Sequence, residues 1–478
     1  MGSFRRRQRR VGSGRVGLIT RLIALVSALL LAGVLATSSA SAITFSTTGS
    51  GAIAPVTSTS CPTISTPAPF ETWTNIPDLE SRGFWDPNVQ QPWDVLTKTA
   101  QVICGAAPGS TIKIGMYFIR AIGTMTSTGY GIRPETDPEQ VWRALEWVKK
   151  NRKVTIGIVL DNSADIATAV AKKQVSQRLR NIGSVYYCSY GCFNLNAGWV
   201  HPDAINHEKF VSITNTTWPN SSKGPHPVVL SMSANFARSQ VRLYQQEITL
   251  IYDDKTLAKL FDIRYDGMVN CARTGCKSAK GFPSSLQLSK QGNIWVDPFY
   301  RHYTDAGRGT TVSFAPQAST ASDFYIRQFD DVDCTVDRKI RIAMFKLTDA
   351  RAQQMVSSLV RLKKRGCDIQ MLLTYQGGRF TLSPAVAKLL RTSRIPVRCT
   401  QVAMHTKMIL IGPMHNNNGR VLMGTQNMSV PGLRYNEEHV ITLDVRRATG
   451  RFVEPMRRVY GQYLSDWYEF SKSTRSCT

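Results

Sequence analysis

One pattern is used twice along this chain, and no other feature restricts its fold as much. Strand-like apolar runs at 112–119, 154–160, 185–188, 210–213, 228–232 and 248–252 alternate with helical patterns at 137–151 and 163–182. A helix at 256–268 closes the set. The order then starts again: strands at 339–345, 368–374, 408–411, 420–423 and 440–445, helices at 349–365 and 384–392, and a closing helix at 452–470. Local phrases recur as well. Ile112-Lys113-Ile114-Gly115-Met116-Tyr117-Phe118 echoes Ile340-Arg341-Ile342-Ala343-Met344-Phe345, and Cys104 and Cys334 precede them at similar distances. An internal duplication of about 200 residues is the simplest reading; two unrelated α/β domains are the alternative. Strands alternating with helices predict an α/β fold of two pseudo-symmetric halves, each a mixed sheet flanked by helices. The halves span 71–268 and 309–478, and 269–308, with a Cys pair, Gly and Pro, connects them.

The repeat includes polar residues. The first half has His207-Glu208-Lys209 running into an apolar strand, and the second has His405-Thr406-Lys407. Alternation along a strand puts each His and Lys on one face and the middle residue on the other. Each half next offers a strand ending in small residues and Asn: Ser233-Ala234-Asn235 and Thr425-Gln426-Asn427. An acid just before a strand follows, Glu247 in the first half and Glu438 in the second; Glu437 competes with Glu438, which aligns better with Glu247. From His to Asn is 28 residues in one half and 22 in the other. The difference falls in the loops 215–227 and 412–419, where length varies most freely. His201, His226, His302, His415 and His439 have no counterpart in the other half and read as surface or loop residues.

This arrangement resembles the phospholipase D superfamily, whose mark is a duplicated HxKxxxxD followed by GSxN. The resemblance covers roughly residues 84–470. It departs at the motif Asp, which falls on Thr214 and Gly412, and at the Gly of the first GSxN, which is Ser231; Gly424 keeps it in the second copy. The residue types suit phosphodiester cleavage. Lys209, Lys407, Asn235 and Asn427, with Ser233 and Thr425, would bind the phosphate and meet charge growing on its oxygens without a metal. The resemblance implies His207 as nucleophile and His405 as general acid, a phosphohistidine intermediate, and Glu247 and Glu438 fixing the imidazoles across the pseudo-twofold axis. It implies no cofactor. Phospholipid head groups are the expected substrate, with transfer to alcohols as well as hydrolysis. A nuclease of the same superfamily and a catalytically silent phosphate- or lipid-binding protein are the other readings. Cardiolipin synthase fits less well, since no apolar span follows residue 42.

Charge and the N-terminus bear on partners and compartment. Residues 1–42 carry seven Arg and no acid, an apolar run at 22–36, and Ala40-Ser41-Ala42, the layout of a secretory signal peptide cleaved after Ala42. The run is short for a membrane span. Removing the segment leaves 52 basic against 33 acidic residues, or +19. That suits an anionic membrane surface and nucleic acid equally. Residues 43–70, rich in Ser, Thr, Pro and Ala, read as an extended leader. Ten cysteines in an exported chain predict up to five disulfides, with 188/192 and 271/276 close enough for local loops. No CxxC pair supports zinc. Trp and Tyr residues near 195–218 would form either a lipid-contacting mouth or core. A secreted monomer is expected, because both half-sites lie in one chain.

Overall fold

Strands that are apolar on both faces have to be covered on both faces, and this requirement shapes the computed structural model. It describes residues 56, 59–75, 95–119, 139–162, 177–193, 203–218, 224–237, 244–274, 303–305, 307–317, 323–376, 379–380, 382–401, 403–413, 418–472 and 474–477. In the first half β1 (Phe70–Asn75), β2 (Thr111–Met116), β3 (Thr155–Asp161), β4 (Ser184–Cys188), β5 (Lys209–Ile213), β6 (Val228–Met232) and β7 (Tyr244–Tyr252) are ordered β1-β7-β6-β5-β2-β3-β4. The pairs among β2, β3 and β4 are parallel and the others antiparallel, so the sheet is mixed.

The second half starts with a short β8 (Tyr303–Asp305) at its edge, then β9 (Arg308–Ala315), β10 (Lys339–Met344) and β11 (Asp368–Gln376). After β12 (Arg379–Phe380) come β13 (Val397–Thr400), β14 (Ala403–Met404), β15 (Lys407–Ile411), β16 (Arg420–Gly424), β17 (Glu438–Ala448) and β18 (Thr474–Ser476). The order β9-β17-β16-β15-β10-β11-β13 repeats the first sheet strand for strand. This is the expected α/β duplication.

Helices α1 (Val95–Cys104) and α2 (Glu139–Arg152) cover one face of the first sheet, and α3 (Lys255–Thr274) the other. In the second half α4 (Phe324–Asp330), α5 (Asp349–Lys364) and α6 (Pro384–Thr392) lie on one side. A short α7 (Val430–Arg434) precedes β17, and α8 (Val453–Lys472) covers the other side. Each outer layer has its own core, with Ile114, Trp142 and Leu145 in the first half and Ile342, Met355 and Leu359 in the second. A central core mixes both halves: Phe210 and Phe261 of the first with Met408, Ile441, Tyr463 and Trp467 of the second. The two repeats are therefore one folded body. Of the helix expected at 163–182, residues 177–182 are helical and the remainder lie outside the described residues. So do residues 1–42, Cys276 and most of 269–308.

Segment 59–69 forms neither helix nor strand, yet Cys61 is bonded to Cys104 at the end of α1. Cys334, at the place equivalent to Cys104, joins Cys367 after α5 instead. Cys188–Cys192 and Cys399–Cys477 are also bonded, and no described cysteine is free. Trp218 is buried over Gly105, where a Cβ would come within 2.3 Å of the indole, so this tryptophan belongs to the core. No helix among the described residues is long and apolar enough to cross a membrane.

Arg420, at the start of β16, is wholly buried and bonds Asp337 at 2.9 Å and Asp331 at 3.0 Å. Asp337 is buried with it, whereas the Asp331 side chain is 54% exposed. Asp337→Ala is expected to cost about 3 kcal/mol by stranding a buried guanidinium. Asp331→Ala should cost under about 1 kcal/mol. Urea unfolding of the two variants measures the difference.

Candidate active site

Antiparallel pairing carries the repeated polar residues to one edge of each sheet. Lys209 at the start of β5 lies opposite Met116 at the end of β2, and Met232 at the end of β6 opposite Ile248 in the middle of β7. Lys407 and Met344, and Gly424 and Val440, are placed alike in the second sheet. The two edges meet. Asn206 forms a parallel bridge with Glu437, and β14 pairs in parallel with Tyr244–Gln245 of β7. The His207 amide donates to the Glu437 carbonyl at 3.0 Å, and the His405 amide to that of Gln245 at 2.9 Å. These crossings set the two imidazoles 6.4 Å apart between ring centroids. Each histidine is 7% exposed. Tyr117 and Phe345, at matching places beyond β2 and β10, pack on His207 and His405 at 5.5 and 4.6 Å.

His207 Nδ1 lies 2.8 Å from Glu438 Oε2, a contact between halves. A proton on Nδ1 in that bond leaves the Nε2 lone pair for other chemistry. Lys209 and Lys407 are both buried, each Nζ donating to the carbonyl of the histidine two residues earlier. Burial pushes Lys209 down to about 7, opposed by Glu438 and Glu208. Burial, with Lys209 beside it, also holds Lys407 well below the usual lysine range. His207 is held well below the imidazole range by burial and then by both lysines. His405 is lowered by burial, Lys407 and Lys209, against the Ser233 carbonyl. Burial raises Glu438 to about 8. An anion between the lysines would offset the repulsion between them that adds to the burial, so the edge is preorganised for one.

Residues 335–460 match the family model described as cardiolipin synthase, PLD-like domain. The match falls within the second half and is to a phospholipase D-like domain. Among solved structures, the chain is similar to the phosphatidylserine synthase of Haemophilus influenzae Rd KW20, at 10% identity and a TM-score of 0.49, over 80% of this chain and 84% of that one. It is also similar to Nuc, a phospholipase D family member from Salmonella typhimurium, at 19% and 0.26, over 35% and 95%. The polyphosphate kinase of Porphyromonas gingivalis gives 12% and 0.45 over 83% of this chain and 47% of that one, so the chain spans less than half of that kinase. No curated protein matches it.

Several of the expected site residues stand differently. Glu247 does not hydrogen-bond His405: its Oε1 accepts from the Lys407 amide at 3.3 Å, and His405 Nδ1 meets the Ser233 carbonyl at 2.9 Å and Lys407 Nζ at 3.1 Å. The cause is alternation. Met404 opposes Gln245 as its equivalent Asn206 opposes Glu437. Ser233 and Thr425 accept from the Glu247 and His439 amides alike, so Glu247 is the counterpart of His439 and Gln246 that of Glu438. The alignment of Glu247 with Glu438 is one residue out. Ser233 and Thr425 do not offer free hydroxyls. Ser233 Oγ donates to Gln246 at 2.8 Å and accepts from the Glu247 amide at 2.9 Å, and Thr425 Oγ1 accepts from the His439 amide at 3.0 Å. Both clamp neighbouring strands. Asn235 accepts from the Phe118 amide at 3.4 Å, while Asn427 has a buried Oδ1 with no hydrogen-bond partner.

Glu437 turns from the site and accepts from the Phe193 amide at 2.8 Å. His439 is wholly buried on β17, which corrects its reading as a surface or loop residue; His226 lies in the loop before β6, where it is buried, and His201, His302 and His415 lie outside the described residues. Arg351 was not singled out by its sequence. It holds the carbonyls of Asn427 and Ser429 at 2.7 and 3.0 Å, anchored by Asp323 at 2.5 Å. It positions the loop that carries Asn427.

The departures at the motif Asp have local explanations. Thr214 Oγ1 accepts from the Thr111 amide at 2.9 Å, and Gly412 has φ +88° with the Asn418 carbonyl where a Cβ would stand. Both positions follow the far ends of β5 and β15, roughly 16 Å along the strand from the site lysines. They cannot touch a reacting group.

Ser233→Ala is expected to cost about 1–3 kcal/mol of stability, because it strands the Glu247 amide and Gln246 in the interior. Denaturant unfolding reads that loss. A variant as stable as the parent would return the hydroxyl to the open face of the site.

Proposed function

We propose that the chain is an exported phosphodiesterase that cleaves phospholipid head groups by a phospholipase D-type reaction, through a phosphohistidine, and acts as a monomer. The observation that carries this reading is the meeting of two His-x-Lys segments, one from each half, with their rings 6.4 Å apart and two buried lysines beside them. A phosphorus atom between the rings can lie at roughly 3 Å from a nitrogen on each side, the near-attack distance. The signal-like N-terminus and the paired cysteines support export. The charge of +19 supports contact with an anionic membrane surface.

His207, its Nδ1 proton directed to Glu438, attacks phosphorus through Nε2. The bond from phosphorus to the head-group oxygen breaks, and His405 as imidazolium gives that oxygen its Nε2 proton. The Ser233 carbonyl at Nδ1 favours the imidazolium, and the diester anion offsets the lysine charges that oppose it. Lys209, Lys407, Asn235 and Asn427 face the charge on the nonbridging oxygens. Water or an alcohol then attacks phosphorus, the P–N bond breaks, and His405 takes the proton. Fixed charges and proton carriers all come from the chain, so the reading assigns no metal and no organic cofactor. The phospholipase D-like family resemblance and not the geometry selects lipid over nucleic acid.

Release of choline or ethanolamine from vesicles, compared with nicking of plasmid DNA, tests the substrate. Lipid cleavage without nicking is expected; nicking alone would make the chain a nuclease, and neither activity would leave a binding protein. On a soluble diester, turnover should persist in EDTA, and a primary alcohol should capture part of the phosphoryl product. With p-nitrophenolate as leaving group, His405→Ala should regain much of its lost turnover while His207→Ala does not, since a good leaving group needs no proton. Rescue of His207→Ala instead would exchange the two roles.

A pH dependence follows from Lys209. With its pKa lowered to about 7, the lysine is charged below that pH and neutral above it. Attraction for an anionic diester is therefore present at lower pH and lost as pH rises. KM for a soluble diester should climb above about pH 7, and Lys209→Met should give a high KM with that rise removed. Steady-state kinetics from pH 5 to 9 supply the check.

A further inference from the structure

Behind the His207–Glu438 contact lies a second pair built from the next residue on each strand. Alternation turns Glu208 and His439 away from the face that carries His207, Lys209 and Glu438. There Glu208 Oε2 meets His439 Nδ1 at 2.5 Å, and Glu208 Oε1 accepts from Arg264 Nε of α3 at 3.0 Å. His439 Nε2 meets Ser231 Oγ at 2.8 Å. The Arg264 guanidinium also stacks on Phe193 and Phe314 at 4.5 and 5.2 Å and donates to the Ala315 carbonyl. All four polar residues are buried, Glu208 and His439 completely. No step of the proposed reaction uses them.

The duplication provides an internal control. The positions equivalent to Glu208 and His439 in the other half-site hold Thr406 and Glu247, and Gln246 stands in the place of Glu438. That crossing has the same register without a Glu–His pair; Gln246 accepts from Ser233 Oγ, and His405 meets a backbone carbonyl. On the side with the pair, Glu438 meets its histidine at 2.8 Å. We infer that Glu208 and His439 form a positioning clamp that ties the two halves directly behind the site and so holds Glu438 against His207. The clamp ties the peptide units 207–208 and 438–439 from the face opposite the site. The pair stands on one side only, and there a histidine of the motif meets a carboxylate while the other meets a backbone carbonyl, so the two histidines are inequivalent. The assignment of a function to that inequivalence rests on the phosphodiesterase reading above.

Two measurements test the clamp, one of which needs no substrate. In ¹⁵N-histidine NMR spectra the hydrogen-bonded Nδ1 proton of His207, identified by its loss in His207→Gln, should be present in the parent protein. In His439→Leu it should shift or broaden, and in His439→Asn, which keeps a donor where Nδ1 stood, it should return. In kinetics on a soluble diester, His439→Leu should lower kcat about 10- to 100-fold with KM within about twofold, and His439→Asn should recover most of the loss. Glu208→Gln, which keeps Arg264 and His439 bonded to a neutral group, is the check if His439→Leu does not fold, and it should fall between parent and His439→Leu. An unchanged His207 signal in a folded clamp variant overturns the inference. So does a fall in activity that Asn does not repair. A parent protein without diesterase activity but with the expected spectra would retire the functional reading and keep the clamp.

Discussion

Two short parallel crossings between the halves hold the site together: Asn206 against Glu437, and Ala403–Met404 against Tyr244–Gln245. Each sheet ends at an edge where histidine, lysine and asparagine emerge, and neither edge alone brings two imidazoles together. Backbone hydrogen bonds at the crossings fix the imidazole separation, and the mixed core beneath them keeps the sheets from sliding. Two lysines and two carboxylates are thereby buried within a few ångströms of two histidines. Such a cluster is unfavourable by itself, since desolvation weighs on every charge. It survives because the crossings and the apolar core overdetermine its geometry, and the same confinement makes the cluster responsive to an anion.

Much of this was legible because the chain repeats itself. Apolar runs and the doubled His-x-Lys disclosed the α/β halves, and alternation along a strand placed His207 with Lys209 and His405 with Lys407. Boundaries moved by a few residues: β7 begins at Tyr244 and not at 248, and β17 runs on to Ala448. The same method hid what is not repeated. His439 was set aside for lacking a counterpart, and its partner Glu208 stands 231 positions away, beyond any local pattern. Arg351 is one of many basic residues on a helix, and only the fold reveals that it grips the Asn427 loop. Ser233 and Thr425 were on the expected segments, but a hydroxyl can turn to its own strand neighbour, and spacing alone does not say which way it points.

Duplicated folds are often treated as symmetrical by default. Here the repeat is faithful in strand order and at both crossings, and it differs in the side chain each crossing brings up: Glu438 meets His207, and Gln246 stands at the equivalent place in the other half-site. One imidazole has a carboxylate behind it, and the other a backbone carbonyl and an ammonium. A carboxylate and a carbonyl stabilise different protonation states, so one change of side chain, Glu438 against Gln246, is enough to divide labour between two copies of one motif.

The position of β14 also bears on how the chain is made. The start of β7 is completed by residues 403–404, some 160 positions later in the sequence. A chain emerging from its N-terminus presents the first half with that backbone edge open and its share of the central core uncovered until most of the second half has appeared. The halves cannot mature in turn like beads on a string. An open strand edge and bare Phe210 and Phe261 are what a folding helper would meet, and the late arrival of residues 403–404 is the event that ends that exposure.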